Sequence, residues 1–463
     1  MSTQLQDVRT DFQWQPQPAA ATLVGSLLDR CIQSNPHIAT LGQRMFDETG
    51  TRLVDWIDSI AIGDDQSLRG ELAEAGYQAD SSDPLAWRHA EGLFPAMRLV
   101  APAGDNGEAL RQPQSLAIKV SSIDDFAAAF TAAGEPQVVG PAGGQFRTYT
   151  WTGEEGTDLV AVERHGWPGF TPPANRAQQI AQAAKHRQAL VDRRRQFASP
   201  TEGFDHARTL FDIAATDLGG DWACDLFFAA ERQYWLSRNA AARVQYERQQ
   251  RLGLGWGNHD HHTYRSGRES FAQLIAILER MGFECRERFY AGREAGWGAQ
   301  VIEQPRAGVV IFADVDLSPE EVAGDFAHAP LPPQETLGTV GLWCKLHGEA
   351  FLEAGMHHLE CQFDFDAVRR QLTEAGVITM TPFTDWAHLK QAFTRGEIWP
   401  VSPPRVDAAL AEGYITAEQA DQFRREGALG SHMEILERND GFKGFNQTGI
   451  SEIITRTDPR KWT

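Results

Sequence analysis

The sequence predicts an α+β protein: tandem βαβββ modules whose strands form curved mixed sheets, with helical lead-in and linker segments. Three observations predict this. Four segments share one pattern, a short apolar strand followed by a helix that stops near a glycine. β-rich runs follow those helices, among them Gly144–Trp151, Asp158–Glu163 and Gly308–Ala313. The four segments also pair into two halves, each opening on a helical lead-in, so the repeat is a unit of architecture.

Taken in order, the first module begins with the strand Asp55–Ile62 and the helix Gln66–Gly76. The second has Ser115–Val120 and Ile123–Phe130, with a glycine at 134. The third has Asn258–Arg265 and Ser270–Gly282, and the fourth Met356–Phe363 and Phe365–Gly376. Similar phrases, Gln33–Ala39 and Leu236–Arg243, lie in the two lead-ins. Between the halves Trp167–Pro173 reads as a proline-rich hinge, followed by a polar helical stretch to about residue 200. The expected division is an N-terminal half over 1–166, a linker helix over 167–207 and a C-terminal half over 208–463.

Composition narrows the function. The 463 residues are 42% hydrophobic and 23% charged, as in ordinary globular proteins of two or three domains. A formal net charge of −20 disfavours nucleic acid and anionic membrane surfaces as partners. The one basic run, Lys185–Arg195, reads as a solvated helix face in the linker. No apolar stretch approaches the ~20 residues of a membrane helix. The start, Met1-Ser-Thr-Gln-Leu-Gln-Asp, has neither the basic region nor the apolar run of a signal peptide. Five scattered cysteines argue against a disulfide framework, so a reducing cytoplasm is expected.

The chemistry concentrates in the C-terminal half. Side chains alternate across a strand, so His259, His261, Thr263 and Arg265 share one face, as do His358, Glu360 and Gln362. The segment Gly430–Arg438 reads as a strand with His432, Glu434 and Leu436 on one side. One histidine from each of two equivalent strands and one carboxylate from a later strand make a facial triad, His261, His358 and Glu434. Such a triad leaves open positions where substrate and dioxygen bind iron(II) together. Aligning the halves puts Ser59 opposite His261, and the second module has no histidine opposite His357 or His358. His259 and His357 read as supporting or structural residues. His432 stands two residues, about 6.5 Å, from Glu434 along the strand and is a poorer ligand. Glu437 faces away unless the register slips by one.

These residues resemble known families of the vicinal-oxygen-chelate (glyoxalase-like) superfamily. The C-terminal half resembles the catalytic domain of 4-hydroxyphenylpyruvate dioxygenase, whose last motif, Glu-Ile-x-Gln-Arg, stands here as Glu434-Ile-Leu-Glu-Arg438. The closing Gly441–Ile450, leading into Ser451–Thr455, looks like that enzyme's lid helix. The motif Asp260-His-His-Thr-Tyr-Arg265 and the helical lead-in over 208–250 resemble the 2-oxoadipate dioxygenase/decarboxylase (2-hydroxyglutarate synthase) family. That resemblance covers about half of the chain well. It implies iron(II), dioxygen as co-substrate, and oxidative decarboxylation with hydroxylation of a 2-oxo acid or related small carboxylate. Arg265 would then act catalytically by forking onto a substrate carboxylate, and Phe445 would close over it. The other readings are a strand arginine with an ion-pair partner and an ordinary terminal helix. Departures from the family are His262 beside the ligand position and the tandem duplication. Rival functions are a metal-dependent isomerase or lyase of glyoxalase type, which would need a fourth protein ligand, and a metal-free small-molecule-binding protein. There is no Walker loop, dinucleotide fingerprint or Gly-x-Ser-x-Gly elbow.

Overall fold

Two-residue alternation along short strands, interrupted by amphipathic helices, builds two eight-stranded sheets that are copies of one plan. The computed structural model describes residues 13–100, 112–130, 136–152, 156–174, 177–446 and 457–461. The first sheet contains β1 (Ile57–Gly63), β2 (Tyr77–Ala79), β3 (Ala86–His89), β4 (Ala96–Val100), β5 (Pro113–Lys119), β6 (Gln137–Val139), β7 (Phe146–Trp151) and β8 (Asp158–Arg164). The second contains β9 (His259–Arg265), β10 (Glu284–Tyr290), β11 (Trp297–Gln304), β12 (Val309–Asp316), β13 (His358–Gln362), β14 (Thr384–Trp386) and β15 (Leu389–Phe393), and later β18 (Glu434–Arg438). Between them in sequence, β16 (Ile398–Trp399) and β17 (Ala428–Leu429) form a separate two-stranded sheet.

The strand orders, β2-β3-β4-β1-β5-β8-β7-β6 and β10-β11-β12-β9-β13-β18-β15-β14, superpose position for position. In each sheet two modules meet along a central antiparallel pair, β1 with β5 and β9 with β13. The first strand of each module pairs in parallel with its last. The expected helices follow the first strands, at Gln66–Glu74, Ile123–Ala129, Phe271–Arg280 and Phe365–Glu374. This is the tandem βαβββ, glyoxalase-like arrangement. Gly134 and most of the closing segment 441–455 lie outside the described residues.

The helices decide which sheet face is core. The lead-in helices Pro18–Ser34 and Pro36–Thr49 bury Val24, Leu27, Leu41 and Met45 against Ile60, Ile62, Leu116 and Ile118 of the first sheet. In the second half the helices Ala177–Val191, Pro200–Leu218 and Gly220–Ser237 pack Leu190, Phe211 and Phe228 against Tyr264, Ile311 and Ile435. Helix Pro200–Leu218 runs unbroken across the expected boundary at 207 and 208. No helix among the described residues is long and apolar enough to cross a membrane.

An ion-pair bridge ties the halves. His165, just after β8, approaches Glu163 of β8 at 2.9 Å and Asp225 of helix Gly220–Ser237 at 2.8 Å. Burial opposes its charge, but hydrogen bonds to the Asp225 and Glu163 carboxylates outweigh this and raise its pKa from 6.5 to about 9. A raised histidine stabilises the fold fully below its unfolded pKa, and the contribution is lost as pH rises through the folded value. Denaturant melts of wild type and His165→Gln from pH 6 to 10 should therefore converge. The variant is expected to be weaker by about 1–3 kcal/mol at pH 6 and nearly equal at pH 10; a constant difference would refute the bridge.

Candidate metal centre

Three adjacent strands place the chemistry. In the register of β9, β13 and β18, His261 stands opposite Glu360, and Glu360 opposite Glu434. His358 stands opposite Thr263, two residues along. All four side chains are buried and share the sheet face away from the helical linker. Glu360 Oε1 lies 2.8 Å from His261 Nε2 and 2.5 Å from His358 Nε2, and Glu434 Oε2 is 3.6 Å from His358 Nε2. One donor atom each of His261, Glu360 and Glu434 falls within a 4.8 Å cluster.

Surrounding residues aim these donors. The β9–β13 pairing slips between Glu360 and Cys361, leaving Asp260 as the extra residue of a bulge. The bulge turns the Asp260 carboxylate back to accept from His261 Nδ1 at 2.9 Å, so Nε2 points at the cluster. Arg438 clamps the same carboxylate at 2.9 and 3.1 Å, and Gln362 donates to it at 3.0 Å. Burial alone would raise the Asp260 pKa, but Arg438 and His261 hold it below the usual carboxylate range. Gln391 donates to Glu434 at 2.7 Å and Thr263 to Glu360 at 3.1 Å.

The donor set fits a divalent cation. Burial lowers His261 to about 4 and His358 well below its ordinary value, so both imidazoles are neutral at pH 7. With its proton on Nδ1, His261 presents a bare Nε2 lone pair to Glu360 Oε1. Burial, and then the charge of Glu434, push Glu360 well up; burial raises Glu434 to about 7. Oxygen and nitrogen lone pairs thus face one another in a low-dielectric site, where a proton or a cation must lie between them. Two imidazole nitrogens and two carboxylates, backed by an Asp–His pair, are the donors that iron and similar metals take. Glu360 Oε2 and His358 Nδ1 have no hydrogen-bond partner among the described residues.

The cluster floors a cavity walled by Phe289, Trp297, Phe312, Phe383, Phe393 and Phe445. Arg265 lines it and is buried, 3.7 Å from Asp314 and over the Trp343 ring at 5.5 Å. Burial first, with only partial relief from Arg265, raises Asp314 to about 8. The Phe445 ring sits 5.0 Å from that of His261 and 4.4 Å from that of Phe312. His432 lines the cavity, stacked on His358 at 4.6 Å. His357 is buried beside them against Trp343, with both ring nitrogens unbonded among the described residues. The bulge takes His259 off the His261 face, where strict alternation had put it; its ring lies 5.3 Å from that of His262. His262 packs on the helical side, against Phe228 and Arg232.

Glu360 is the residue that sequence reading left out of the ligand set. Its signal was present in His358-x-Glu360, two ionisable residues on one strand face. Only the register of three strands shows that this glutamate lies between both histidines.

The N-terminal half separates scaffold from chemistry. The equivalents of His261, His358, Glu360 and Glu434 there are Ser59, Ser115, Ala117 and Val160, none with a strong metal donor. The bulge is repeated at Asp58, and Arg164 clamps Asp58 at 2.6 and 2.8 Å as Arg438 clamps Asp260. Glu437 accepts from Phe365 N and its equivalent Glu163 from Ile123 N, each holding the start of a helix. Glu437 is therefore framework and faces away from the cluster.

No family model and no curated protein matches the chain. Among solved structures it is similar to a mutant of 4-hydroxymandelate synthase from Streptomyces coelicolor, with 13% identity and a TM-score of 0.29 over 89% of this chain and 98% of that one. It is also similar to the Mn(II)-bound glyoxalase from Novosphingobium aromaticivorans, at 11% identity and TM-score 0.19 over 85% and 86% of the two chains. Methylmalonyl-CoA epimerase from Mycobacterium tuberculosis aligns with 39% of this chain and 88% of its own, at 14% identity and TM-score 0.23. Likeness at these scores assigns no activity to this chain.

Proposed function

We propose that the protein is a non-haem iron(II) dioxygenase of the vicinal-oxygen-chelate superfamily, acting on a 2-oxo acid or related small carboxylate with oxidative decarboxylation and hydroxylation. The observation that carries this reading is the grouping of His261, Glu360 and Glu434, with His358 2.5 Å from Glu360 and 3.6 Å from Glu434, on the floor of a ring-walled cavity that also holds Arg265. Iron(II) held there would supply Lewis acidity and the one-electron chemistry that dioxygen requires. Asp260 fixes the His261 ring, Gln391 fixes Glu434, and the aromatic wall keeps water from the reacting centre. Arg265 stands four residues, about 13 Å of strand, beyond His261 on the same face. Its guanidinium orients the substrate by forking onto a carboxylate distant from the metal.

One observation favours a second reading. Glu360 is a fourth buried donor between the two histidines, which a glyoxalase-type isomerase or lyase would use as its fourth ligand. Oxygen uptake on adding 2-oxo acids, dicarboxylates included, separates the two. Uptake with carbon dioxide release supports the dioxygenase; proton exchange beside a carbonyl without uptake supports the isomerase.

Elemental analysis of anaerobically purified protein should find near-stoichiometric iron, lost in His261→Ala and Glu434→Ala. Metal unchanged in both variants would sink the ligand assignment, and tightly held zinc or nickel would favour the isomerase. Asp260→Asn should weaken metal binding about 10- to 100-fold. Asp58→Asn should cost comparable stability and leave metal affinity unchanged, because it breaks the same clamp where no donors stand. With the substrate found, Arg265→Lys should raise KM about tenfold or more, since the ammonium keeps the charge and loses the fork; an unchanged KM would remove Arg265 from the substrate site.

A further inference from the structure

Within the basic run Lys185 and Arg187 are exposed on the helix as expected, but its closing arginines take another course. Past the end of helix Ala177–Val191 the chain turns inward, and Arg193, Arg194 and Arg195 line a cavity of about 570 Å³. Arg238, at the end of helix Gly220–Ser237, and Arg405, of helix Pro403–Ala411, complete the wall. The cavity shares no lining residue with the metal centre.

Its charge is not neutralised. Arg193 and Arg195 both bond the buried Glu231, and Arg405 bonds Glu353. Arg194 and Arg238 make no ion pair among the described residues. Arg194 stacks over Phe197 at 4.1 Å, and Arg238 over Trp399 at 3.7 Å. Arg238 donates only from Nη1, to the Tyr234 hydroxyl and the carbonyls of Glu353 and Ala354, which leaves Nε and Nη2 available. Five guanidiniums against two carboxylates leave three positive charges around one cavity, in a chain whose net charge is −20. Rings and backbone carbonyls thus hold these cations in place without cancelling them, which is how an anion site is preorganised.

We propose that this cavity is a second ligand site, which binds a small phosphorylated molecule carrying two or more negative charges. Guanidiniums arriving from three chain segments suit the tetrahedral oxygens of a phosphoryl group, whereas a planar carboxylate engages one fork at a time. The volume matches an organic phosphate as large as a nucleotide.

Isothermal titration of the full, metal-loaded chain tests this, with pyrophosphate as probe and inorganic phosphate and citrate in separate runs. Arg194→Glu is the informative variant: its guanidinium is exposed and stacks only on Phe197, so the fold should survive, as a thermal melt would verify. The expected result is saturable one-to-one binding of pyrophosphate that weakens with salt and falls at least tenfold in Arg194→Glu. Absence of saturable binding by pyrophosphate and phosphate, or an affinity unchanged in the variant, would overturn the site. Citrate binding more tightly than pyrophosphate would overturn the phosphoryl class.

Discussion

The C-terminal half is arranged around a buried carboxylate, Glu360, that needs a proton or a cation to join it. Glu360 projects from a central strand between two neutral imidazoles, beside a second buried glutamate. Withdrawing such groups from water costs several kcal/mol per charge, and oxygen lone pairs facing nitrogen lone pairs add to that cost. Thr263 and Gln391 supply one hydrogen bond each, and the rest is relieved by a shared proton, which the raised Glu360 and Glu434 accept, or by a cation. A divalent cation turns the same repulsion into binding energy, and so couples metal affinity to the packing that forces the donors together.

The duplicated fold shows which parts belong to this tension. Both halves use the bulge, the Asp–Arg clamp and the helix-holding glutamate, so those features answer to β-sheet mechanics. The clamp closes the turn after the last strand: Arg438 reaches the carbonyls of Phe442 and Gly444, and Arg164 those of Trp167 and Gly169. In the C-terminal half this shared clamp has a second use. Because Asp260 sits next to His261, the carboxylate that anchors the turn also sets the imidazole tautomer. Where the donors would stand in the N-terminal half, Ala117, Phe146 and Val162 pack together.

Charge is distributed with the same economy. In a chain with an acidic surplus, one guanidinium lines the metal cavity and five line the cavity beside the linker. Aromatic faces support cations at both, Trp343 under Arg265 and Trp399 under Arg238. The two tryptophan rings lie 6.0 Å apart.

Strand-helix periodicity, the fourfold repeat and the pairing of modules were legible in the sequence because they depend on local patterns of period two and 3.6. So was the clustering of candidate donors, since only one half carries histidines at strand starts. The bulge at Asp260 was not legible: one extra residue in one strand turns His259 off the expected face, and nothing local announces it. The place of Glu360 depended on which strands become neighbours, a matter of contacts about seventy-five residues away in Glu434 and about one hundred in His261. The inward course of Arg193 and Arg195 depended on a partner, Glu231, on another helix. By itself the sequence determined which residue types each module could present on each face. Tertiary structure decided which of them meet, because burial and strand register are properties of distant segments brought together.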